Sequence, residues 1–246
     1  MVAQQRQSLL RRRSVAQNHV VGLLTGQLDD LVAGEWRALD VVDLGGGTGG
    51  MAIPLAERGH QIRVVDPSPD ALAALERRTA EAGLTGRIIG LQGDAADLVT
   101  LIGEREADVV VCHRVLEVVD DPAAALVAIS RTLRPGGVLS LLAAQRQALV
   151  LSQALAGHLG LARRTYADPH RFDQARVLEM VQAAGFVVLA SHGIGAIADL
   201  VPERLLEAEP GAYEDLAELE AEISSDPAFR ALAPHLHVFA QAHRSR

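Results

Sequence analysis

The apolar positions of this chain change their period repeatedly, and the changes mark out its elements. Over residues 1–38, Val20, Val21, Leu23, Leu24, Leu28, Leu31 and Val32 recur at roughly helical spacing, so the stretch reads as a helical lead-in. From residue 39 onward, short apolar runs alternate with longer amphipathic ones. Residues 39–44, 61–66, 87–92, 107–112 and 138–142 read as strands, and 48–58, 70–82 and 122–133 as helices. Short buried strands separated by helices imply right-handed βαβ units and a parallel, doubly wound α/β sheet. Ligands of such sheets sit beyond the carboxyl ends of the strands, so functional residues should follow strands directly.

The second half is less regular. Residues 144–169 lack a clear period and contain Arg163, Arg164, Tyr166 and Pro169, as an inserted lid would. A helix over 171–184 ends at Gly185, and a strand over 186–190 follows. Residues 199–226 read as an acidic amphipathic helix with Leu216, Leu219 and Ile223 inward, and 235–242 alternates like a final strand. No repeat or long linker divides the 246 residues, so a single domain is expected. Its parts are the lead-in, a core over 39–143, a lid over 144–169 and a C-terminal half over 170–246.

Composition narrows the class. With 49% hydrophobic and 22% charged residues the chain is neither disordered nor fibrous. No run approaches the roughly 20 apolar residues that span a bilayer, so no membrane partner is expected. Arg6, Arg11, Arg12 and Arg13 precede Ser14, Gln17, Asn18 and His19, not the unbroken apolar core of a secretory signal. Cys112 is the single cysteine and forms no internal disulfide, so a cytoplasmic location is the expectation. All 23 basic residues are arginine, which excludes Schiff-base lysines, the phosphate-loop lysine and the Tyr-x-x-x-Lys pair. The net charge of −8 opposes a nucleic-acid partner only if it is spread evenly. Ten acids against the one arginine, Arg204, lie in 199–226, which leaves the remainder close to neutral. The arginines at 11–13 and 163–171 therefore remain free to face phosphates, with any nucleic acid avoiding the acidic face.

The sharpest motif is Asp43-Leu44-Gly45-Gly46-Gly47-Thr48-Gly49-Gly50 at a strand-to-helix junction. Gly45-x-Gly47-x-x-Gly50 alone also satisfies a dinucleotide pattern, and Asp66, at the end of the second strand, suits ribose hydroxyls of either ligand. Three features favour S-adenosylmethionine over NAD. Asp43 suits a cationic amino-acid end and would repel a pyrophosphate. Gly93-Asp94-Ala95 places a carboxylate where an adenine amino group can donate. Leu133-Arg134-Pro135-Gly136-Gly137-Val138 then forms a turn into the fifth strand.

In that order these motifs resemble the class I S-adenosylmethionine-dependent methyltransferases over residues 39–143. The resemblance implies a seven-stranded Rossmann-like sheet whose last strand is an antiparallel hairpin partner. It also implies a cofactor site of Asp43, Gly45, Gly46, Gly47, Gly49, Asp66, Pro67, Asp94, Ala95 and His113. Further segments, at 56–60, 113–119, 133–141, 183–186 and 236–238, look like the tRNA 5-carboxymethoxyuridine methyltransferases. That family esterifies the carboxylate of a modified wobble uridine, and its residue matching His113 lines the cofactor site.

Two departures concern the ligands. Ala16-Gln17-Asn18 stands where the family shows Arg-Gln-Asn, with Arg13 one turn earlier as a stand-in. Gly193-Ile194-Gly195-Ala196 stands where it tends to show Gly-Val-Arg-Val, so the acceptor is either tRNA or a small molecule. An ionised carboxylate needs no general base, whereas an alcohol or phenol would, and His113 is the first candidate for that catalytic role. Its alternative role is to orient cofactor or backbone. Arg114 and Glu117 read as a local ion pair, and Cys112 as a small core residue. His235-x-His237 lacks a third ligand, so no metal is expected. Arg163, Arg164, Tyr166, His170 and Arg171 are candidates for an anionic acceptor or for a solvated lid. An NAD-dependent oxidoreductase and a non-catalytic cofactor-binding protein are the remaining alternatives.

Overall fold

The computed structural model describes residues 15–34 and 36–243. They fall into two compact units, a sheet unit within 32–144, 174–191 and 238–246, and a helical unit within 1–31, 145–173 and 192–237. The strands are β1 (Asp40–Leu44), β2 (Gln61–Asp66), β3 (Ile88–Gln92), β4 (Ala107–His113), β5 (Leu133–Ala144), β6 (Phe186–Ile194) and β7 (His235–Ala242). The helices are α1 (Val15–Leu31), α2 (Ala52–Glu57), α3 (Pro69–Glu81), α4 (Leu98–Ile102), α5 (Pro122–Thr132) and α6 (Arg146–Leu155). They continue with α7 (Leu159–Ala167), α8 (Gln174–Ala183), α9 (Glu203–Ala208), α10 (Ala212–Ile223) and α11 (Pro227–Leu232).

One seven-stranded sheet runs in the order β3-β2-β1-β4-β5-β7-β6. The first five strands pair in parallel, with Asp43 opposite Val64 on one side and Val111 on the other. This is the doubly wound order expected from the alternation of periods. The order reverses beside β1, which opens a crevice at the carboxyl ends of β1 and β4. Val41, Val42 and Val109 to Cys112 are fully buried, as strands covered on both faces must be. Helix starts follow local capping chemistry. Ser68 caps α3 by accepting from the Ala71 N–H, and Asp121 caps α5 by accepting from Ala123 and Ala124, each just before a proline.

Several boundaries depart from the sequence reading. The helix expected from residue 48 begins only at Ala52, because Gly47 and Gly49 adopt positive φ and hold the chain in turns. β5 starts at Leu133, so the Arg134–Gly137 stretch expected as a turn belongs to the strand, with a register slip between Ala107 and Val109. The short α4 was not anticipated, and the strand expected over 186–190 continues to Ile194.

In the helical unit, 146–167 is regular rather than lid-like, forming α6 and α7 against each other. Each residue of α6 is half-buried or exposed, so no apolar stripe advertised the helix. The acidic stretch forms two helices, α9 and α10, and α10 packs on α1 through the latter's buried Val20, Leu24 and Leu28. The inward residue of α10 is Glu220, fully buried, while Leu219 is 41% exposed, the reverse of the expected face. Glu220 Oε1 accepts from Ala196 N–H at 2.8 Å, and Oε2 accepts from the N–H groups of Ile197 and Ala198 at 3.0 Å. Three donors offset the cost of burying its charge. Among the described residues, no helix is long and apolar enough to cross a membrane.

Candidate cofactor site

A cavity of about 700 Å³ opens in the sheet unit where β1, β2, β3 and β4 end. Leu44 and Gly45 contribute from β1 and its loop, Asp66 and Pro67 from the end of β2, and Asp94 and Ala95 from beyond β3. The segment after β4, including Arg114, Val115, Val118 and Asp120, and the start of α5 close the opposite side. The geometry thus brings together Gly45, Asp66, Pro67, Asp94 and Ala95 from four separate motifs.

Backbone hydrogen bonds fix the glycine loop. Gly45 N–H donates to the Val65 carbonyl at 2.7 Å, and Gly47 N–H donates to Asp66 Oδ2 at 2.9 Å. Asp66 Oδ1 accepts from the Ser68 N–H at 2.9 Å, so one carboxylate ties the loop to the strand beside it. A Cβ on Gly46 would lie 2.5 Å from the Asp43 carboxyl and 2.9 Å from Val64, so no larger residue fits over that acid.

Asp43 itself does not line the cavity; it lies behind the loop and is 2% exposed. Burial, then the Asp66 charge, push its carboxyl up to about 7, against the Ala52 N–H that favours its ionised form. Its Oδ2 is buried without a hydrogen-bond partner. A buried acid with an open acceptor fits a cationic group such as an ammonium. Asp94 is held by a bond from the Ala96 N–H to its Oδ1 at 2.7 Å, and Ala95 beside it is buried.

His113 ends β4 but is not among the residues lining the cavity. Its Nε2 lies 2.9 Å from Ser140 Oγ, and burial pushes its pKa down to about 3, so the ring is neutral at ordinary pH. The expected ion pair of Arg114 with Glu117 does not form; Glu117 instead accepts from the backbone N–H of Ala144. Arg114 adopts a positive φ of 61° as its N–H reaches the Leu142 carbonyl at 2.7 Å. This post-β4 wall went unread apart from that pair, although its place directly after a strand was the available signal.

The remaining candidates lie elsewhere. Cys112 is fully buried, and burial followed by the Glu117 and Asp43 charges pushes its thiol up, away from reactivity. His237 stacks on His192 with ring centroids 5.7 Å apart. Among the described residues, no group of three or more His, Cys, Asp or Glu side chains is placed to hold a metal. Ala16 is buried within α1, and the stand-in Arg13 lies outside the described residues. Gly195 has a φ of 79°, and a Cβ there would fall 2.8 Å from Asp199 Oδ2, so an arginine would not fit this loop as it stands.

A doubly wound sheet with an acid-backed glycine loop at its switch point defines a nucleoside-cofactor enzyme. The family model for the methyltransferase domain matches residues 42–141, and the chain is a methyltransferase that uses S-adenosylmethionine. That match sets aside the nicotinamide alternative. The chain is similar to the tRNA 5-carboxymethoxyuridine methyltransferase of Escherichia coli K12, at 28% identity over 93% of both chains. It is also similar to the ubiquinone biosynthesis O-methyltransferase of Methylobacterium nodulans, at 31% identity over 64% of both. Among solved structures, magnesium protoporphyrin IX methyltransferase from Synechocystis PCC 6803, with bound S-adenosylhomocysteine, shares the fold. Its TM-score is 0.61 at 17% identity, covering 93% of this chain and 84% of that one.

Proposed function

We propose that this methyltransferase esterifies a carboxylate, that of 5-carboxymethoxyuridine at the wobble position of tRNA, in the cytoplasm. The observation that carries the reading is the likeness to the Escherichia coli enzyme over 93% of each chain. The ionisation states agree with it. A carboxylate is already a nucleophile, and the one histidine near the strand ends has a pKa of about 3 and makes a weak base.

In this reading the cofactor supplies a methyl group made electrophilic by its sulfonium. Asp43 holds the ammonium of its amino-acid end, Asp66 the ribose hydroxyls, and Asp94 the adenine amino group. Pro67 and Ala95 border the adenine, and Gly45, Gly46, Gly47 and Gly49 let the ligand approach the backbone. His113 orients rather than takes a proton. The acceptor oxygen forms its bond to the methyl carbon in line as the carbon–sulfur bond breaks, and positioning with exclusion of water lowers the barrier.

A second reading, O-methylation of a small molecule, is favoured by Gly195, which leaves no arginine for an acceptor carboxylate in that loop. Transfer of tritiated methyl to bulk tRNA, with and without the carboxymethoxy group, separates the two. Transfer that depends strictly on that group supports the tRNA reading. Transfer to neither tRNA refutes it.

A further inference from the structure

The helical unit carries two arginines that no carboxylate balances, beside an aromatic ring fixed from behind. Tyr166, near the end of α7, is 67% exposed. The Arg146 guanidinium lies over its ring at 5.6 Å from the centroid. Arg146 is itself clamped, because its guanidinium donates to Asp173 at 2.7 Å and its backbone N–H to the Phe172 carbonyl at 2.7 Å. One ring face is thus covered by a fixed cation, and the exposure leaves the other face open for stacking. The helix beneath is anchored by its buried Ala162 and Thr165.

The charge count points the same way. Between residues 146 and 173 the only acids are Asp168 and Asp173. Asp173 is taken by Arg146, and Asp168 lies 3.5 Å from Arg171. Arg163 and Arg164 are exposed, and no ion pair within the described residues balances them. Arg163 precedes Tyr166 by three positions, so both lie on one side of α7. An open aromatic face flanked by unbalanced guanidinium groups matches a single-stranded nucleotide, with its base on the ring and its phosphates on the arginines. An acidic peptide would use the charges and leave the ring idle.

We propose that Tyr166, backed by Arg146 and flanked by Arg163 and Arg164, is the platform on which an unpaired base of the RNA acceptor stacks. The proposal rests on the tRNA reading above and assigns the element that grips the RNA. Stacking is sequence-tolerant, so the platform supplies affinity and leaves the choice of the reacting nucleotide to the catalytic cavity. Arg146 pre-sets the ring and thereby lowers the ordering cost of binding.

The test is steady-state methylation of a carboxymethoxyuridine-containing anticodon stem–loop by the full chain. Tyr166→Ala should raise KM about 10- to 100-fold, with kcat within about twofold of the parent. Tyr166→Phe should restore KM, and S-adenosylhomocysteine affinity, measured by calorimetry, should be unchanged in both. Arg163→Gln with Arg164→Gln should lower the salt slope of binding by roughly one. An unchanged KM in Tyr166→Ala, or a Phe variant as impaired as the Ala variant, overturns the platform. If the parent methylates no RNA, the tRNA reading fails by itself. Anisotropy with a labelled, unmodified stem–loop then still judges the platform. Weaker binding by Tyr166→Ala supports it; insensitivity to the variant, or the same loss with base-free heparin, overturns it.

Discussion

Replacing Asp43 by Asn keeps the shape of the side chain behind the glycine loop and removes its proton. The buried carboxyl is raised from 3.8 to about 7, so folding forces it to keep a proton that the unfolded chain releases. Stability of the cofactor-free protein therefore falls as pH rises between those values and levels off above about 7. At ~1.4 kcal/mol per pKa unit, the accumulated cost at pH 8 is about 4 kcal/mol. Asn does not titrate and can still accept from the Ala52 N–H, but its buried amide hydrogens lack a partner, which costs about 1–3 kcal/mol. The variant should then gain about 1–3 kcal/mol at pH 8 and lose stability at pH 5, where the parent carboxyl is already protonated. For a chain of this length, that gain raises Tm by about 2–10 °C. Cofactor binding should move the other way, because an ammonium loses its charged partner, and the affinity for S-adenosylhomocysteine should drop about 100-fold or more. Thermal melts at both pH values with and without ligand, together with calorimetry, read all three effects. A variant less stable than the parent at pH 8, or one that binds the ligand as the parent does, would refute the assignment of a strained, ligand-seeking acid.

Three further outcomes follow from neighbouring geometry. Gly46→Ala should abolish S-adenosylhomocysteine binding in calorimetry, since its Cβ would sit 2.5 Å from the Asp43 carboxyl; retained affinity would contradict the tight loop. Glu220→Ala should cost about 3 kcal/mol in denaturant unfolding, because three backbone N–H groups lose their acceptor, while Glu220→Gln should cost about half as much. Because His113 has a pKa of about 3, log kcat should show no inflection between pH 5 and 9 that vanishes in His113→Asn; an inflection near 6.5 lost in that variant would restore it as a base.

What the chain announces in advance follows the range of the interaction involved. β1 and β4 were visible because strands buried on both faces need unbroken apolar runs such as those around Val42 and Val110. The cofactor loop was visible because Gly45, Gly47 and Gly49 meet a backbone demand that few other residues satisfy. Glu220 was misread because its acceptors lie in a loop more than 20 positions away, and no local pattern distinguishes a solvated glutamate from one that caps distant N–H groups. α6 was missed because it buries no face of its own, so the helical period never appears among its apolar residues. Glu117 was paired with Arg114 by proximity in sequence, whereas the fold brings it the backbone N–H of Ala144 from the end of β5. The order of the cofactor motifs was legible, but the unpartnered oxygen of Asp43 required coordinates.

The central claim is that this chain places a methyl ester on a tRNA wobble carboxylate. It is tested most directly by incubating carboxymethoxyuridine-containing tRNA with the protein and S-adenosylmethionine, then analysing the digested nucleosides by mass spectrometry. The account predicts that the wobble nucleoside becomes one methylene heavier and returns to its original mass after mild alkali, as an ester must. An unchanged wobble nucleoside, or a methyl group that survives alkali, would contradict it.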